Sequence, residues 1–160
     1  MAQNGMRIIG ATGHRPKSFA DPFPLVIGKM NKIAYRYLEA EKPDKIVSGM
    51  ALGWDTCIAN MALDLRIPFI AAVPFPEQAS RWPQAQQEFY EYLLSKAEKV
   101  ITVCPIYSTL AFKKRNIVIV DESTEIVALF NGSRNSGTAH CLNYAALQQK
   151  PITNLFSEYA

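Results

Sequence analysis

The segment "KKRNIVIVDES", Lys113 to Ser123, decides the fold of this 160-residue chain. Its consecutive β-branched residues favour a strand by propensity. The segment lies, however, between two apolar runs, "KVITVC" and "EIVALF", that are typical of buried strands. Neighbouring parallel strands need a crossover of about a dozen residues or more, which is usually a helix. We therefore predict a helix over residues 111–122, against the local propensity.

Short apolar runs alternate with amphipathic stretches along the rest of the chain. Further strands are predicted at "MRIIGA", "DKIVSG", "IPFIAAVPF" and "PITNLF". Further helices are predicted at "PLVIGKMNKIAYRYLEAEK", from about Trp54 to Leu65, at "PQAQQEFYEYLLSKA" and at "GTAHCLNYAALQQK". This alternation predicts one α/β domain over residues 1–160, with a Rossmann-like, doubly wound, mainly parallel sheet and helices on both faces.

Composition narrows the classes of function. Apolar residues make up 49% and charged residues 19% of the chain, as in ordinary soluble domains. No apolar run is long enough to span a bilayer and the start lacks a signal-peptide pattern, so we expect a cytoplasmic protein with no membrane partner. The three cysteines fit no metal-ligand spacing, and we expect reduced thiols, no metal site and no cofactor. A net charge of +3 does not indicate nucleic acid and suits a small anionic ligand.

Candidate ligand-binding residues follow from the sheet, because doubly wound sheets bind ligands where the carboxyl ends of strands lead into helices. The loops there are "GATGHRP", "SGMALGWD" and "NGSRNSGT", joined by the start of the crossover helix. Glycines and hydroxyl side chains before a helix N-terminus are suited to hold phosphate. The candidates are Gly10, Thr12, His14, Arg15, Ser48, Gly49, Gly53, Asp55, Arg115, Asn116, Gly132, Ser136, Gly137 and Thr138.

Each loop also has an ordinary interpretation as a solvated turn. Asp55 fits a helix N-terminal position, where a carboxylate is stabilising whether or not a ligand is bound. The chain has no complete GxGxxG fingerprint, no P-loop, no GxSxG elbow and no HExxH helix. The argument for a ligand site therefore depends on several such loops at one edge of one sheet.

The motifs "TGHRP", "SGMALGWD", "RN" and "GSRNSGT", in this order, resemble those of the SLOG superfamily. That group includes the Lonely Guy phosphoribohydrolases, DNA-processing protein A and the YpsA-like proteins, and the YpsA-like branch is the most similar. The similarity covers nearly the whole chain. It implies a Rossmann-like fold that binds a nucleotide or nucleotide-derived ligand over the glycine-rich loops, and a helical conformation for "RNIVIVDES".

The resemblance implies less about catalysis. Lonely Guy enzymes have an arginine in the corresponding helix, where Arg115 stands here, and a "PGGxGT" loop followed by a catalytic glutamate. In this chain the loop is longer, lacks the proline, and continues as "AHCL", with His140 near the position of that glutamate. A carboxylate stabilises an oxocarbenium-like centre, whereas a neutral histidine does not. We therefore expect this chain to share phosphate binding with the Lonely Guy enzymes to a greater extent than hydrolysis.

Two functions remain open. The first is a module that binds a nucleotide-like molecule to sense or sequester it. The second is an enzyme that hydrolyses the N-glycosidic bond of a nucleotide, with Asp55, Glu122 or His140 as acid/base candidates. A DNA-processing role is a third interpretation, but we do not expect nucleic acid as a partner, because single-strand binding usually needs a basic groove with stacking aromatics. Whether the chain forms a homo-oligomer stays open.

Overall fold

The computed structural model describes residues 5–159. Its strands are β1 (Ile8–Gly13), β2 (Lys45–Ser48), β3 (Phe69–Val73), β4 (Lys99–Thr102), β5 (Glu125–Leu129) and β6 (Ile152–Asn154). Its helices are α1 (Phe23–Glu41), α2 (Trp54–Asp64), α3 (Gln84–Lys96), α4 (Thr109–Asp121) and α5 (Gly137–Leu147). Two 3-10 turns, Pro16–Ser18 and Phe156–Glu158, complete the described elements. No helix in residues 5–159 is both long enough and apolar enough to cross a membrane.

The strands form one parallel sheet in the order β4-β3-β2-β1-β5-β6. The predicted Rossmann-like α/β fold is thus confirmed, and each described strand pair is parallel. The chain runs outward from β1 to β4, returns over the sheet, and pairs β5 with the free side of β1. The strand order therefore reverses between β1 and β5, which is the switch point at which such sheets bind ligands.

Alternate residues of β1, β2, β3 and β5 enter cores on opposite faces, as expected for strands covered on both sides. One core joins Ile9 and Ala11 of β1 to residues of α1, α2 and α3. The other joins Ile8 of β1 to residues of α4 and α5. Helices therefore cover both faces of these strands.

The helical prediction for residues 111–122 is confirmed by α4. Ile119 and Val120 are buried against the sheet, and Ser108 caps the helix by accepting a 3.1 Å hydrogen bond from the Ala111 amide. Tertiary packing outweighs strand propensity here because a helix buries these side chains and returns the chain to β1. The last strand is shorter than the predicted "PITNLF", since the chain enters a 3-10 turn at Phe156.

Candidate functional site

A cleft of about 630 Å³ opens at the switch point between β1 and β5. Its walls come from the loop after β1, the start of α2, the first turns of α4 and the start of α5. This volume is in the range of small-molecule sites. Nine of the sequence candidates line it: Thr12, His14, Arg15, Asp55, Arg115, Asn116, Ser136, Gly137 and Thr138.

The N-terminus of α5 forms one wall of the cleft. Ser136 caps this helix, because its Oγ accepts a 3.0 Å hydrogen bond from the Ala139 amide. Gly137 and Thr138 follow at the first helical positions, where backbone N–H groups lack intrahelical partners and the helix dipole is positive. Around the Cβ position of Gly137 there is no other atom within 4 Å. The backbone is therefore open to close approach by an anion.

His14 joins the two loops that meet at the switch point. Its Nε2 accepts a 2.9 Å hydrogen bond from the Asn131 amide, and its own amide donates to the Leu129 carbonyl at 3.2 Å. An accepting Nε2 requires the neutral ring, and burial lowers the pKa of His14 in the same direction. His14 is thus a buried connector in the wall of the cleft.

Asp55 is a buried carboxylate with one unsatisfied oxygen. Its Oδ2 accepts a hydrogen bond from the Ala51 amide at 3.3 Å, whereas its Oδ1 is buried without a hydrogen-bond partner among the described residues. Burial raises the pKa of Asp55 to about 6, although Arg115 and the Ala51 amide act in the opposite direction. Buried polar atoms are usually satisfied, so this oxygen, in a residue of the cleft wall, is an exception.

Arg115 is held in a buried network beside the cleft. Only 7% of the residue is exposed. Its Nη1 donates to the Gly49 carbonyl at 2.7 Å, and its Nε donates to Asn116 Oδ1 at 3.0 Å. Asn116 Nδ2 in turn donates to the Gly137 carbonyl at 3.1 Å, and it lies 3.2 Å from His140 Nδ1. This network fixes the start of α5 relative to the loop after β2.

Three predicted glycines do not line the cleft, and each has a packing role instead. A Cβ at Gly10 would overlap Ser123 and Ile119, so Gly10 allows α4 to approach β1. At Gly49 it would lie 2.8 Å from Arg115 Nη1, and at Gly53, where φ is +115°, 2.8 Å from the His14 carbonyl oxygen. These glycines position the residues of the cleft without facing it.

Ser48 and Gly132 also lie outside the cleft wall. Ser48 Oγ donates to the Asp55 carbonyl at 2.8 Å and accepts from the Met50 amide at 3.1 Å, so it orients the turn that carries Asp55. Gly132 adopts a φ of +94° within the loop after β5, which a glycine tolerates without strain. Ser48 thus supports the cleft from the end of β2, and Gly132 shapes its own loop.

Two of the three acid/base candidates are outside the cleft wall. Glu122 follows α4, and α4 ends near the start of β5, at the opposite edge of the sheet. His140 lies behind Asn116 rather than on the wall. Asp55 alone of these candidates lines the cleft.

Sequence reasoning missed two aromatic wall residues, Tyr107 and Phe112. They flank the start of α4, the segment that returns from the outer strand β4 towards β5. The aromatic residues of "IYSTLAF" directly after a strand were the available signal, because that position is also at the carboxyl edge.

The fold and the cleft define a Rossmann-like α/β domain that is open at its switch point. Residues 12–157 match the model of the YspA SLOG family, and the chain belongs to that family. The predicted resemblance to the SLOG superfamily is confirmed.

Two bacterial relatives illustrate the similarity. The chain is 31% identical to the uncharacterized SPbeta prophage-derived protein YoqJ of Bacillus subtilis strain 168, over 73% of this chain and 78% of the relative. It is 25% identical to the UPF0398 protein YpsA of the same strain, over 88% and 84% of the two chains.

Solved structures with the same fold come from proteins of different kinds. DNA processing protein A of Streptococcus pneumoniae superposes with a TM-score of 0.67 and 18% identity, over 92% of this chain and 49% of that one. This chain therefore spans about half the length of that protein. The Helicobacter pylori counterpart, which binds single-stranded DNA, superposes with a TM-score of 0.62 and 23% identity. The match covers 91% of this chain and 63% of that one. The molybdenum cofactor binding protein of Rippkaea orientalis superposes with a TM-score of 0.61 and 16% identity. The match covers 94% of this chain and 76% of that one.

These comparisons do not support our expectation against nucleic acid, because one structural neighbour binds single-stranded DNA. We expected no nucleic acid because the sequence shows no recognisable basic groove with stacking aromatics. Tyr107 precedes α4 and Phe112 lies in its first turn, and neither was among the residues predicted to bind.

Proposed function

We propose that the chain binds a nucleotide or nucleotide-derived ligand in the switch-point cleft and acts as a sensing or sequestering module. The observation that carries this proposal is the meeting of a helix N-terminus, uncommitted cations and a buried carboxylate with an unsatisfied oxygen. The helix N-terminus and the cations suit a phosphate. The carboxylate suits a hydroxyl or an N–H group elsewhere on the same molecule.

The phosphate would lie at the N-terminus of α5. Backbone N–H groups at Gly137 and Thr138 offer charge-assisted hydrogen bonds, and the helix dipole adds to them. Arg15 and Lys17 also line the cleft. The ion pairs within residues 5–159 involve other cations, namely Arg7, Lys29 and Lys45, so these two remain available to an anion.

Asp55 would select the remainder of the ligand. Its Oδ1 accepts no hydrogen bond in the described structure, and leaving a buried acceptor unsatisfied costs about 1–3 kcal/mol. A donor on the ligand, such as a sugar hydroxyl, would remove that cost on binding. Arg115 already donates to protein oxygens, so its contribution is a fixed positive potential rather than a mobile contact.

The proposal is tested by replacing Gly137 with valine. There is open space around its Cβ position, so the fold should tolerate the change while the side chain blocks approach of a phosphate. Native mass spectrometry first shows whether a nucleotide copurifies, and calorimetry then measures binding of adenosine 5′-monophosphate. We expect affinity to fall on the order of 100-fold, the loss of one or two charge-assisted hydrogen bonds.

Gly28→Val is the matched control, because Gly28 lies on the exposed side of α1 and also has no atom within 4 Å of its Cβ position. It should bind like the wild type. A folded Gly137→Val protein with unchanged affinity would contradict the phosphate position. Absence of any binding or copurified nucleotide in the wild type would contradict the proposal as a whole.

Hydrolysis of the N-glycosidic bond is the second candidate, and it now depends on Asp55. A carboxyl with a pKa of about 6 is suited to proton transfer near neutral pH. Incubation with adenosine 5′-monophosphate and chromatography for free adenine tests it. Release that Asp55→Asn abolishes would establish cleavage, whereas binding without release would leave the sensing function.

A further inference from the structure

A second cavity of about 630 Å³ adjoins the switch-point cleft. The two share Arg15, Tyr107 and Phe112 in their walls. We call the second one the aromatic cavity, because its wall also contains Phe75 and Trp82. Its remaining residues come from the loop after β3 and the loop after β4. The two cavities thus form one continuous surface along the carboxyl edge of the sheet.

The aromatic cavity has a preassembled wall of rings. Phe75 meets Tyr107 with ring centroids 5.4 Å apart and Phe112 with centroids 5.6 Å apart, both edge to face. Tyr107 and Phe112 are 6.2 Å apart in a similar arrangement. Such contacts favour a fixed geometry. The rings are therefore held in position before a ligand arrives.

Two apolar side chains of this wall are unusually exposed. Tyr107 has 65% and Ile106 has 71% of its surface accessible. Both lie in the loop between β4 and α4, directly beside the cleft. Adjacent large apolar side chains at the mouth of a cavity are typical of a binding surface.

The aromatic cavity also has polar groups around the rings. Gln78 is buried between the two cavities, where its Nε2 donates to the Gly49 carbonyl at 3.4 Å and to Tyr90 Oη at 3.3 Å. Glu77, Ser80 and Arg81 line the cavity as well. Rings beside donors and acceptors suit a flat heteroaromatic group better than an alkyl chain.

We propose that the aromatic cavity binds the heteroaromatic ring of the same ligand whose phosphate lies at the start of α5. This inference rests on the proposed function and gives the ligand an orientation. The ring stacks on Tyr107, the phosphate meets the N–H groups of Gly137 and Thr138, and Arg15 lies between them. The ligand class is therefore a heteroaromatic base joined to a phosphate. Stacking on Tyr107 contributes binding energy without selecting one base over another.

Amide NMR shifts test the two ends of the ligand separately. Adenosine 5′-monophosphate and ribose 5-phosphate are each titrated into the labelled protein. We expect both to shift the Gly137 and Thr138 amides, and only the nucleotide to shift those of Ile106 and Tyr107. Shifts at α5 alone with both compounds would overturn the ring position and leave the proposed function intact. No shift at α5 with either compound would contradict the proposed function, and this inference with it.

Tyr107→Ala gives the quantitative test, with Tyr92→Ala as its matched control. Tyr92 is 49% exposed on α3 and lines neither cavity. Loss of one stacking contact should weaken binding of adenosine 5′-monophosphate by about tenfold. Binding of ribose 5-phosphate should be unchanged, and Tyr92→Ala should affect neither compound. An equal loss for both compounds, or none for the nucleotide, would overturn the proposal.

Discussion

The two edges of the sheet differ in whether their charged side chains are paired within the protein. At the amino edge, Arg7 forms a bidentate pair with Glu125, at 2.8 Å to each oxygen, and a third contact of 2.6 Å with Glu41. At the carboxyl edge, Asp55 keeps an oxygen without a partner in the described structure, and Arg15 and Lys17 line an open cleft. The charges at the amino edge are thus paired within the protein and stabilise the fold. At the carboxyl edge, these three groups are not taken up by ion pairs or full hydrogen bonding within residues 5–159, and we propose that a ligand meets them.

Asp55→Asn should give the largest effect on stability. Burial raises the pKa of Asp55 from 3.8 to about 6, so ionisation lowers the free energy of unfolding between about pH 4 and pH 6 and has its full effect above pH 6. This corresponds to about 3 kcal/mol, which the uncharged amide should recover at pH 7.5. Below about pH 4 the wild-type carboxyl is protonated, and the two proteins should be nearly equal. Urea unfolding at both pH values measures this.

The same variant should bind adenosine 5′-monophosphate less tightly, because an amide is a weaker acceptor than a carboxylate. A variant that is more stable but binds less tightly is expected when the original residue serves binding at a cost in stability. An equal gain at pH 4 and pH 7.5, or no gain at pH 7.5, would contradict the assignment of a buried, unsatisfied carboxylate.

Arg15→Ala should weaken binding of the same nucleotide by about tenfold or more, if the guanidinium forms one charge-assisted bond. Arg15 is exposed, so the thermal midpoint should change little. Calorimetry at two salt concentrations measures the loss. Arg36→Ala, on the exposed side of α1, is the control and should leave binding unchanged. Wild-type affinity in a folded Arg15→Ala protein would show that Arg15 is a solvated surface residue that does not contact the ligand.

Glu125→Gln should destabilise the amino edge by about 1–2 kcal/mol at neutral pH without changing ligand binding. Hydrogen bonding to Arg7 lowers the pKa of Glu125, so its contribution is present at neutral pH and is lost as the carboxyl protonates in acid. The pH dependence therefore has the opposite sign to that of Asp55. Glu98→Gln removes a single contact with Lys45 by a carboxylate that is 42% exposed, against 22% for Glu125, and it should cost less. Equal costs for the two variants would contradict the larger contribution expected of the bidentate pair with Arg7.

Thr138→Val should give the smallest effect, a loss of binding energy on the order of 1 kcal/mol. The substitution keeps the shape and removes the hydroxyl from the cleft wall. Thr124→Val at the amino edge is its counterpart, because Thr124 Oγ1 bonds both the amide and the carbonyl of Ile8. We expect Thr138→Val to change binding and Thr124→Val to change stability, measured by calorimetry and urea unfolding. The reverse result would contradict the division between the two edges.

Local sequence determined most of the elements. Apolar runs bounded by glycine or proline became the strands of the sheet, and even the β-branched α4 was predicted once the parallel crossover was considered. "SGT" before an apolar helix was sufficient to place Ser136, Gly137 and Thr138 at a helix start. These features depend on residues close in sequence, which is why pattern and capping chemistry reveal them.

The tertiary structure alone decided which candidates share the cleft. Gly10, Gly49 and Gly53 were predicted as ligand contacts, but they allow Ser123, Arg115 and the His14 backbone to approach, and those partners are distant in sequence. The aromatic wall depends on the loop after β4 being carried back towards β1 by α4, and the unsatisfied oxygen of Asp55 depends on burial by several elements. Pairing and burial of a side chain are set by everything that packs around it. Sequence therefore fixes the groups available at an edge, and packing decides which of them remain free to bind.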